Sequence, residues 1–563
     1  MKRFVIIMPS LKLSRLSSVM VLLIGVSVFG GRAMGQQGVQ INLDPNTGQD
    51  VAGDAANEPT LAVSPVDPSV MVVGWRYFPT ISSNSRFAGV AYSHDGGLTW
   101  TNEIKLPAPS GFNESAEQSD PVLTVNSAGI FYYWSELFRP VNATHHFVYQ
   151  SLDGGVSWND PTLVQDPAVS GDKEWFVADR SGGIGDGNLY GGWNNFGLGG
   201  QSFVRSVDGG NSFSSPVRIS DAGGTQWMLH FAVGPDGEVY AAWRNMGKNA
   251  ILITKSLKAK DANQVPTFDG FGEGGNFGLD IEIDKGNDPG FLPVSPSGFH
   301  QIYVAVDRSD GVRRGWVYVL WADRRNDICD IYFARSRDGG LTWDTSVRVN
   351  DDQMGNGAYQ WMPAMSVSPK GRIDVVWYDS RNSQGHNPPW MELYFSKSED
   401  GGSSWSTNER LSDAFDTTVG YPSQSKIGDY IQTNSDNKGM NIVYSATFNG
   451  GQDLYFMRKN VFALDVPRLV AGTDGEFDVT GAKGNTATYL AYSVKGEGST
   501  FIAALNVTLN LQNPKQAGGK MMTDGAGDTQ WVLPIPGGIA GKVLWFQAAQ
   551  FDNVSNVEIE TVG

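Results

Sequence analysis

The chain has 563 residues, of which 40% are hydrophobic, and its formal net charge is −17 at pH 7. This acidity argues against nucleic acid and anionic membrane surfaces as partners, because both require a basic protein surface. The single cysteine, Cys329, excludes an intramolecular disulfide and a cysteine-based metal site. Abundant glycine and aromatic residues, with few helix-favouring runs, favour an all-β fold.

The first 35 residues have the pattern of a signal peptide. Basic residues open the segment, and residues 16–30 form a nearly uncharged apolar run that is short for a membrane span. Ala33 and Gly35 supply the small residues of a cleavage site. We therefore predict a secreted, periplasmic or cell-surface protein of a bacterial-type cell, with no membrane insertion after cleavage. An uncleaved anchor is the alternative.

A motif of the form S-x-D-x-G-x-[ST]-[WF] occurs five times. Its Asp-Gly-Gly core favours a tight turn, because glycine accepts positive φ and aspartate bonds nearby backbone N–H groups. The terminal Trp or Phe is suited to packing between neighbouring sheets. We therefore expect the five aspartates to form turns and not to act in catalysis. The copies are Ser93–Trp100, Ser151–Trp158, Ser206–Phe213, Ser336–Trp343 and Ser398–Trp405.

Short strands recur around the motif. One strand ends in the Ser of the motif, and an earlier strand ends in an aromatic residue. The repeat of roughly 60 residues, with three or four strands per unit, predicts a β-propeller. Seven units indicate seven blades, and six blades are the alternative. The aromatic strand ends are Trp75, Trp134, Trp193, Trp243, Trp321, Trp377 and Tyr444.

Two units lack the motif and need an outer strand from elsewhere. In the fourth unit we expect it from a Gly-rich insertion at about 261–298. For the seventh unit, Val39–Leu43 resembles the outer strand at Val347–Asn350. We predict that this N-terminal segment completes the last blade and so removes exposed sheet edges. The predicted propeller spans residues 36–460.

The repeat ends after about residue 460. Alternating apolar runs at 486–492, 501–511 and 542–550 indicate strands between Gly/Pro turns. We predict a C-terminal β-sandwich-like domain at 465–563. Carbohydrate binding, attachment to a cell surface and capping of the ring are all open as its role.

The five motif copies resemble the Asp-box (BNR) repeats of sialidase-like β-propellers. The resemblance implies that these turns lie on one face of the ring and that an active site lies on the opposite face. The sequence places arginines, carboxylates, amides and aromatics in the loops expected there, which suits a carbohydrate site. Arg76 and Arg244 should accordingly lie opposite Asp95 and Asp338.

The resemblance to sialidases implies a tyrosine nucleophile with a glutamate partner, an aspartate acid/base and arginines for the substrate carboxylate. The candidates are Tyr430 (alternatively Tyr421) as nucleophile, Glu174 as its partner and Asp120 as the acid. The family's Arg-Ile-Pro sequence is absent from the first inner strand, which reads Glu58-Pro59-Thr60 here. The candidate substrate-binding residues are Arg76, Arg244, Arg325, Arg381, Trp175, Trp227 and Trp361.

These residues predict a secreted sialidase-like exo-glycoside hydrolase whose partner is a glycan or glycoconjugate of unspecified type. The alternative is a non-catalytic carbohydrate- or protein-binding propeller, in which arginines such as Arg325 and Arg381 form salt bridges between blades. We expect neither metal nor cofactor, since the chain has no Walker-type phosphate loop and no H-E-x-x-H sequence. The oligomeric state is left open.

Overall fold

The computed structural model describes residues 38–563 except for 104, 140–143, 166–170, 222–224, 269–279, 286–300, 384–389 and 424–425. Of residues 102, 103, 139 and 165 it describes the backbone alone. The predicted signal peptide lies outside the described residues. Within the described part, no helix has the length and apolarity that a membrane crossing needs.

Seven antiparallel sheets follow one another along the chain, and each is built from strands that are neighbours in sequence, except that sheet 7 includes a strand from the N-terminal segment. Sheet 1 contains Ala55–Val63, Met71–Phe78, Phe87–Ser93 and Thr101–Glu103; sheet 2 contains Glu117–Val125, Phe131–Arg139, His145–Ser151 and Thr162–Gln165; sheet 3 contains Gly171–Ala178, Leu189–Asn195, Gly200–Ser206 and Val217–Arg218. Sheet 4 contains Gln226–Val233, Val239–Asn245, Ala250–Ser256 and Ile281–Lys285.

The remaining three sheets have the same strand order. Sheet 5 contains Tyr303–Val306, Val317–Asp323, Asp330–Ser336 and Val347–Arg348; sheet 6 contains Gln360–Val367, Ile373–Asp379, Trp390–Ser398 and Glu409–Arg410, with Phe415–Asp416 paired to its third strand; sheet 7 contains Gln432–Asp436, Gly439–Ala446, Asp453–Asn460 and Val39–Gln40. The prediction of an all-β protein is confirmed, since the regular structure of the described residues is strand apart from one 3-10 turn at Gly537–Ile539.

Neighbouring sheets meet through their first strands. The first strand of each sheet contacts the first strand of the next, and that of sheet 7 contacts that of sheet 1. This cyclic order of contacts is consistent with a propeller, in which first strands surround an axis. Fully buried tryptophans in the second strands, among them Trp75, Trp134 and Trp193, fill the space between sheets.

Both predicted sources of missing outer strands are confirmed. The insertion in the fourth unit supplies Ile281–Lys285, which pairs with the third strand of sheet 4. The N-terminal segment pairs with sheet 7, with Val39 opposite Phe456. Two further contacts hold it there, because Ile41 N–H donates to the Leu454 carbonyl at 2.9 Å and Asn42 donates to Asp453 at 2.7 Å.

The Asp-Gly-Gly turns are closed by their own side chains. In the first turn, Ser93 donates to Asp95 Oδ1 at 2.8 Å, and the Thr99 N–H donates to the same oxygen at 2.9 Å. Hydrogen bonds from Thr99 and Ser93 lower the pKa of Asp95 to about 2. Gly97, with a φ of 85°, packs against the Phe456 ring of sheet 7. The equivalent carboxylates of the other turns are bonded in the same way: Asp153, Asp208, Asp338 and Asp400.

The chain beyond residue 460 forms sheets of its own around a core that includes Phe477, Trp531 and Phe546. Lys370 of sheet 6 contacts this region, with Nζ 2.9 Å from Asp465 and 2.6 Å from Glu558. The predicted domain boundary itself stays a prediction. The strands are Ala463–Asp465, Asp474–Thr480 and Thr529–Pro534 in one sheet; Lys515–Met522, Ala487–Ser493, Val543–Gln550 and Asn553–Thr561 in a second; and the hairpin Glu497–Ile502 with Val507–Leu511.

Candidate functional site

A β-bulge interrupts the first strand of five sheets at the same position. In each case the bulge contains a non-glycine residue in the left-handed region, where an L-residue is strained by about 1–2 kcal/mol. Repetition of this strain shows that the surrounding sheet imposes it. The residues are Glu58, Asp120, Lys173, Met228 and Met362, with φ of 54°, 48°, 60°, 61° and 50°.

Three bulge residues belong to a buried set of alternating charges, called here the charge ring. Arg76 Nη2 lies 2.9 Å from Glu58 Oε1, and its Nη1 lies 3.9 Å from Asp120 Oδ1. These side chains are 5% exposed or less. The ring holds three cations and three carboxylates, so its charges balance. Its members are Glu58, Arg76, Asp120, Lys173, Asp429 and Lys426.

Two lysines complete the charge ring. Lys173 Nζ lies 2.7 Å from both Asp120 and Asp429. Lys426 Nζ lies 2.5 Å from Asp429 and 3.1 Å from Glu58, which returns to the starting residue. Burial opposes ionisation of Asp120 and Asp429, but Lys173 overrides it and holds the pKa of both carboxyls below the ordinary range. Both are therefore carboxylates at neutral pH.

A pocket of about 350 Å³ opens beside the charge ring. All ring members except Glu58 line it. Its other walls are Arg86, Glu136, Phe138, Gly171, Asp172 and Phe196. The bulges with charged side chains lie in sheets 1 to 3, whereas those in sheets 4 and 6 present methionines, so the polar pocket lies to one side of the axis.

Arg86 is a pocket residue that sequence reasoning missed. It immediately precedes the third strand of sheet 1, whereas the predicted site residues lie near the ends of second strands and the starts of first strands. Its Nε donates to Ser119 Oγ at 2.8 Å, and its guanidinium lies 4.2 Å from the centre of the Phe138 ring. Among the described residues, no carboxylate lies within ion-pair distance of it. Burial and the neighbouring Arg76 lower its pKa.

Glu136 and Glu174 are buried carboxyls without a cation. Glu136 lines the pocket, and Glu174 lies behind it in sheet 3. In the described part of the chain, Glu136 Oε2 and both oxygens of Glu174 have no hydrogen-bond partner. Burial, together with Asp120, raises the pKa of Glu136 well above its ordinary value, and burial together with Glu136 does the same for Glu174. Both carboxyls therefore keep their proton to a higher pH than an exposed glutamate does.

His146 lies directly across the strand pair from Glu136, and ligand atoms of Glu136, His146 and Glu174 lie within 4.8 Å of one another. The donor set nevertheless suits a proton better than a metal ion. Trp134 Nε1–H donates to His146 Nδ1 at 3.1 Å, so the proton of the neutral ring lies on Nε2. Burial lowers the pKa of His146 to about 3, which keeps the ring neutral.

A second group of ligand atoms, from Asp120, Glu136 and Asp172, also lies within 4.8 Å. Here an ammonium takes the place that a metal ion would need. Lys173 Nζ lies 2.7 Å from Asp120 and 3.7 Å from Asp172. The group is therefore three acidic side chains arranged around a lysine.

The structure brings Arg76 and Asp120 together in the pocket, but Tyr430, Glu174 and Trp175 lie beneath it. The Tyr430 hydroxyl donates to the Pro121 carbonyl at 3.0 Å and makes no hydrogen bond to Glu174. Burial raises the pKa of Tyr430 well above its ordinary value. Its ring lies edge-on to Trp175 at 5.5 Å.

Arg325 and Arg381 lie outside the pocket and occupy equivalent positions in sheets 5 and 6. Arg325 lies 2.6 Å from Asp323, and Arg381 lies 2.8 Å from Asp379. Each guanidinium also stacks on a tyrosine of its own sheet, at 4.2 and 4.4 Å. These contacts lie within one sheet, whereas Arg325 also lies 2.9 Å from Asp284 of sheet 4 and so forms a salt bridge between sheets of the kind that the sequence left open.

The other predicted residues belong to sheets 4 and 6. Arg244 Nη2 donates to the Ala322 carbonyl of sheet 5 at 2.7 Å. Trp361 is fully buried, whereas Trp227 lies at the rim, 6.0 Å from the exposed Phe196 ring.

The strand register sets which end of each sheet carries the arginines. Arg76 pairs with Ala88, whereas Met71, at the other end of its strand, pairs with Ser93 beside the Asp95 turn. Arg244 likewise lies near one end of its strand. Val239, at the other end of the same strand, pairs with Ser256.

No protein-family model matches the chain, and no curated protein matches it in sequence. Among solved structures it is similar to the Hadza microbial sialidase Hz136, at 15% identity and a TM-score of 0.37, covering 57% of this chain and 63% of that one. The chain thus spans less than two thirds of that sialidase. It is also similar to a leech intramolecular trans-sialidase, at 13% identity and a TM-score of 0.42, covering 66% and 70% of the two chains. A GH93 α-L-arabinofuranosidase of Fusarium graminearum is similar at 12% identity and a TM-score of 0.38, covering 75% and 98%.

Proposed function

We propose that this protein is an exported exo-glycoside hydrolase of sialidase-like type, built on a seven-bladed propeller with Asp-box turns. Its glycan substrate binds in the pocket beside the charge ring. One observation carries the proposal: a single pocket combines a protonated carboxyl, Glu136, a second carboxyl, Asp172, and an arginine without a carboxylate partner, Arg86.

The pocket walls suit a sugar that carries a negative charge. Arg86 offers a planar guanidinium whose outer nitrogens can bind a carboxylate in a bidentate manner. Phe138 backs this guanidinium, and Phe196 at the rim offers an apolar face to a sugar ring. Because the cations of the charge ring are paired within it, Arg86 is the pocket cation that remains available to pair with a substrate carboxylate. A sialoside is therefore the first substrate to test.

Two carboxyls that differ in pKa supply the acid and the base. Burial raises the pKa of Asp172, but Lys173 opposes this rise, and the pKa of Glu136 is raised well above its ordinary value. Asp172 therefore ionises first, and Glu136 keeps its proton for the leaving oxygen. Their closest ligand atoms lie within 4.8 Å, nearer to the roughly 5 Å of retaining glycosidases than to the roughly 6.5–9.5 Å of inverting ones.

This assignment differs from the one inferred from sequence. Glu136 acts as the acid and Asp172 as the nucleophile. Burial and Asp120 keep the pKa of Glu136 high, Asp120 also positions Lys173, Glu174 lies behind the pocket, and Tyr430 supports the pocket floor.

A panel of fluorogenic glycosides that includes a sialoside tests the activity. We expect turnover by the wild type and by the surface control Glu476→Gln, and loss of about 10²-fold or more in kcat for Glu136→Gln and Asp172→Asn. NMR of the first product should show retained anomeric configuration. Absence of turnover on every glycoside by folded protein would refute the hydrolase. Glycan-array binding without turnover would replace it by a carbohydrate-binding protein that uses the same pocket.

A further inference from the structure

The sequence Asp-Arg-Ser occurs twice, each time directly after the first strand of a sheet. These strand ends lie away from the pocket. Arg180 follows the first strand of sheet 3, and Arg308 follows the first strand of sheet 5. Sheet 4 lies between these two sheets in the chain, and it has Pro235 at the matching position. The two arginines therefore flank sheet 4 at one mouth of the axial channel.

The aspartate beside each arginine is used by its own turn. Asp179 accepts hydrogen bonds from Ser181 N–H at 2.8 Å and from the Tyr190 hydroxyl at 3.1 Å. Asp307 accepts the equivalent bonds, at 2.9 Å from Ser309 N–H and 3.3 Å from the Tyr318 hydroxyl. These carboxylates shape the turns and do not pair with Arg180 or Arg308.

The two arginines approach each other across the channel mouth. Arg308 Nη2 donates a hydrogen bond to the Arg180 carbonyl. Arg180 lines a channel of about 150 Å³ between the first strands, which Gln432 and Asn434 also line. Within the part of the chain that the structure describes, neither guanidinium forms an ion pair with a carboxylate. Burial and the charge of Arg308 lower the pKa of Arg180 to about 10.

Two partly buried like charges repel each other, and nearby carboxylates such as Asp179 attract Arg308 without forming an ion pair with it. An anion between the two guanidinium groups would offset the repulsion. Guanidinium groups bind sulfate and phosphate oxygens through parallel, charge-assisted hydrogen bonds. The channel volume admits a small ion and excludes an oligosaccharide. We propose that Arg180 and Arg308 form a binding site for a small tetrahedral oxyanion, sulfate or phosphate, at the mouth opposite the glycan pocket.

Calorimetric titration of the full chain tests this site. Sodium sulfate and sodium phosphate are titrated separately at matched ionic strength, with chloride as the reference anion. We expect saturable binding of one ion by the wild type, and the tighter of the two anions identifies the occupant. Arg180→Gln and Arg308→Gln should each weaken binding by about tenfold or more, because each removes a charge-assisted contact.

The matched control is Arg337→Gln, which removes an exposed arginine that pairs with Asp344 at 3.0 Å, and it should bind like the wild type. Arg180→Lys keeps the charge without the planar fork and should give an intermediate affinity. Crystals soaked in selenate provide a readout that needs no variant, with an anomalous peak expected beside the Arg180 guanidinium. Equal affinity in all variants, or no saturable binding by the wild type, would overturn the proposal.

Discussion

Lys173 and Asp120, which come from different sheets, form an ion pair of 2.7 Å although both have left-handed backbones. The two bulges turn residues of neighbouring first strands toward each other, so backbone strain in each sheet is offset by the pairing between them. The side chains are 7% and 5% exposed, which shields the pair from water and salt. The floor of the pocket is therefore fixed before any ligand arrives.

Removing the ammonium of Lys173 should be strongly destabilising. Lys173→Met removes the ion pairs of 2.7 Å to Asp120 and Asp429 and leaves the buried ring with three carboxylates and two cations. We expect the free energy of unfolding to fall by about 3–5 kcal/mol, measured by denaturant titration. Adding Asp120→Asn to this variant should restore part of the loss, because it removes the excess carboxylate from the ring.

An exposed ion pair gives the comparison. Lys459 lies 2.6 Å from Glu409, with side chains 21% and 54% exposed. Lys459→Met should cost under about 1 kcal/mol. If the Lys173 and Lys459 variants lose similar amounts of unfolding free energy, the charge ring stabilises the fold no more than an exposed ion pair does.

Local patterns in the sequence predicted the strands and turns but not the charge ring. The Asp-Gly-Gly turns close through residues four apart, such as Asp95 and Thr99, so a short window contains the whole interaction. The pairing of Val39 with Phe456 was predictable because the N-terminal segment repeats an outer-strand pattern. Lys173 with Asp429, in contrast, joins residues far apart in the chain, and no local signal marks them as partners.

The arginines show the same limit. Arg325 and Arg381 each follow an aspartate by two residues, and the repetition of this pattern in two units left salt bridges between blades open as their role. The structure contains local pairs with Asp323 and Asp379. Arg86 has no such neighbour, and it reaches the pocket because Phe138 and Ser119 of sheet 2 hold it there. Its position depends on packing between two sheets, which the sequence pattern does not encode.

Arg86→Gln should separate acidic from neutral substrates. Loss of a charge-assisted contact in the substrate complex should raise the KM of an acidic glycoside by about tenfold to a hundredfold, with little change in kcat. The KM of a neutral glycoside that the enzyme also cleaves should stay unchanged and serves as the internal control. Equal changes for both substrates would show that Arg86 supports the pocket and does not read substrate charge.

Because its ring is buried, His146 should make the free energy of unfolding decrease in acid. The pKa of the folded protein's His146 is about 3, below its ordinary value of 6.5, because the ring is buried. A depressed folded pKa means that the unfolded chain binds the proton first, so stability is full above about pH 6.5 and is lost progressively toward pH 3. The contribution is on the order of 5 kcal/mol. Denaturant titrations across pH 3–8 should show a shallower acid loss for His146→Gln than for the wild type, and parallel curves would exclude this role.

The two glycines of the first Asp-Gly-Gly turn allow backbone strain and packing to be separated. Gly96 and Gly97 have φ of 75° and 85°, so alanine at either position is strained by about 1–2 kcal/mol. A Cβ on Gly96 would meet open space, whereas one on Gly97 would lie 2.2 Å from the Phe456 ring. Gly97→Ala should therefore cost about 1–3 kcal/mol more than Gly96→Ala in denaturant titrations. Equal losses would mean that the turn does not pack against sheet 7 in solution, and that this contact does not help to fix sheet 1 beside sheet 7.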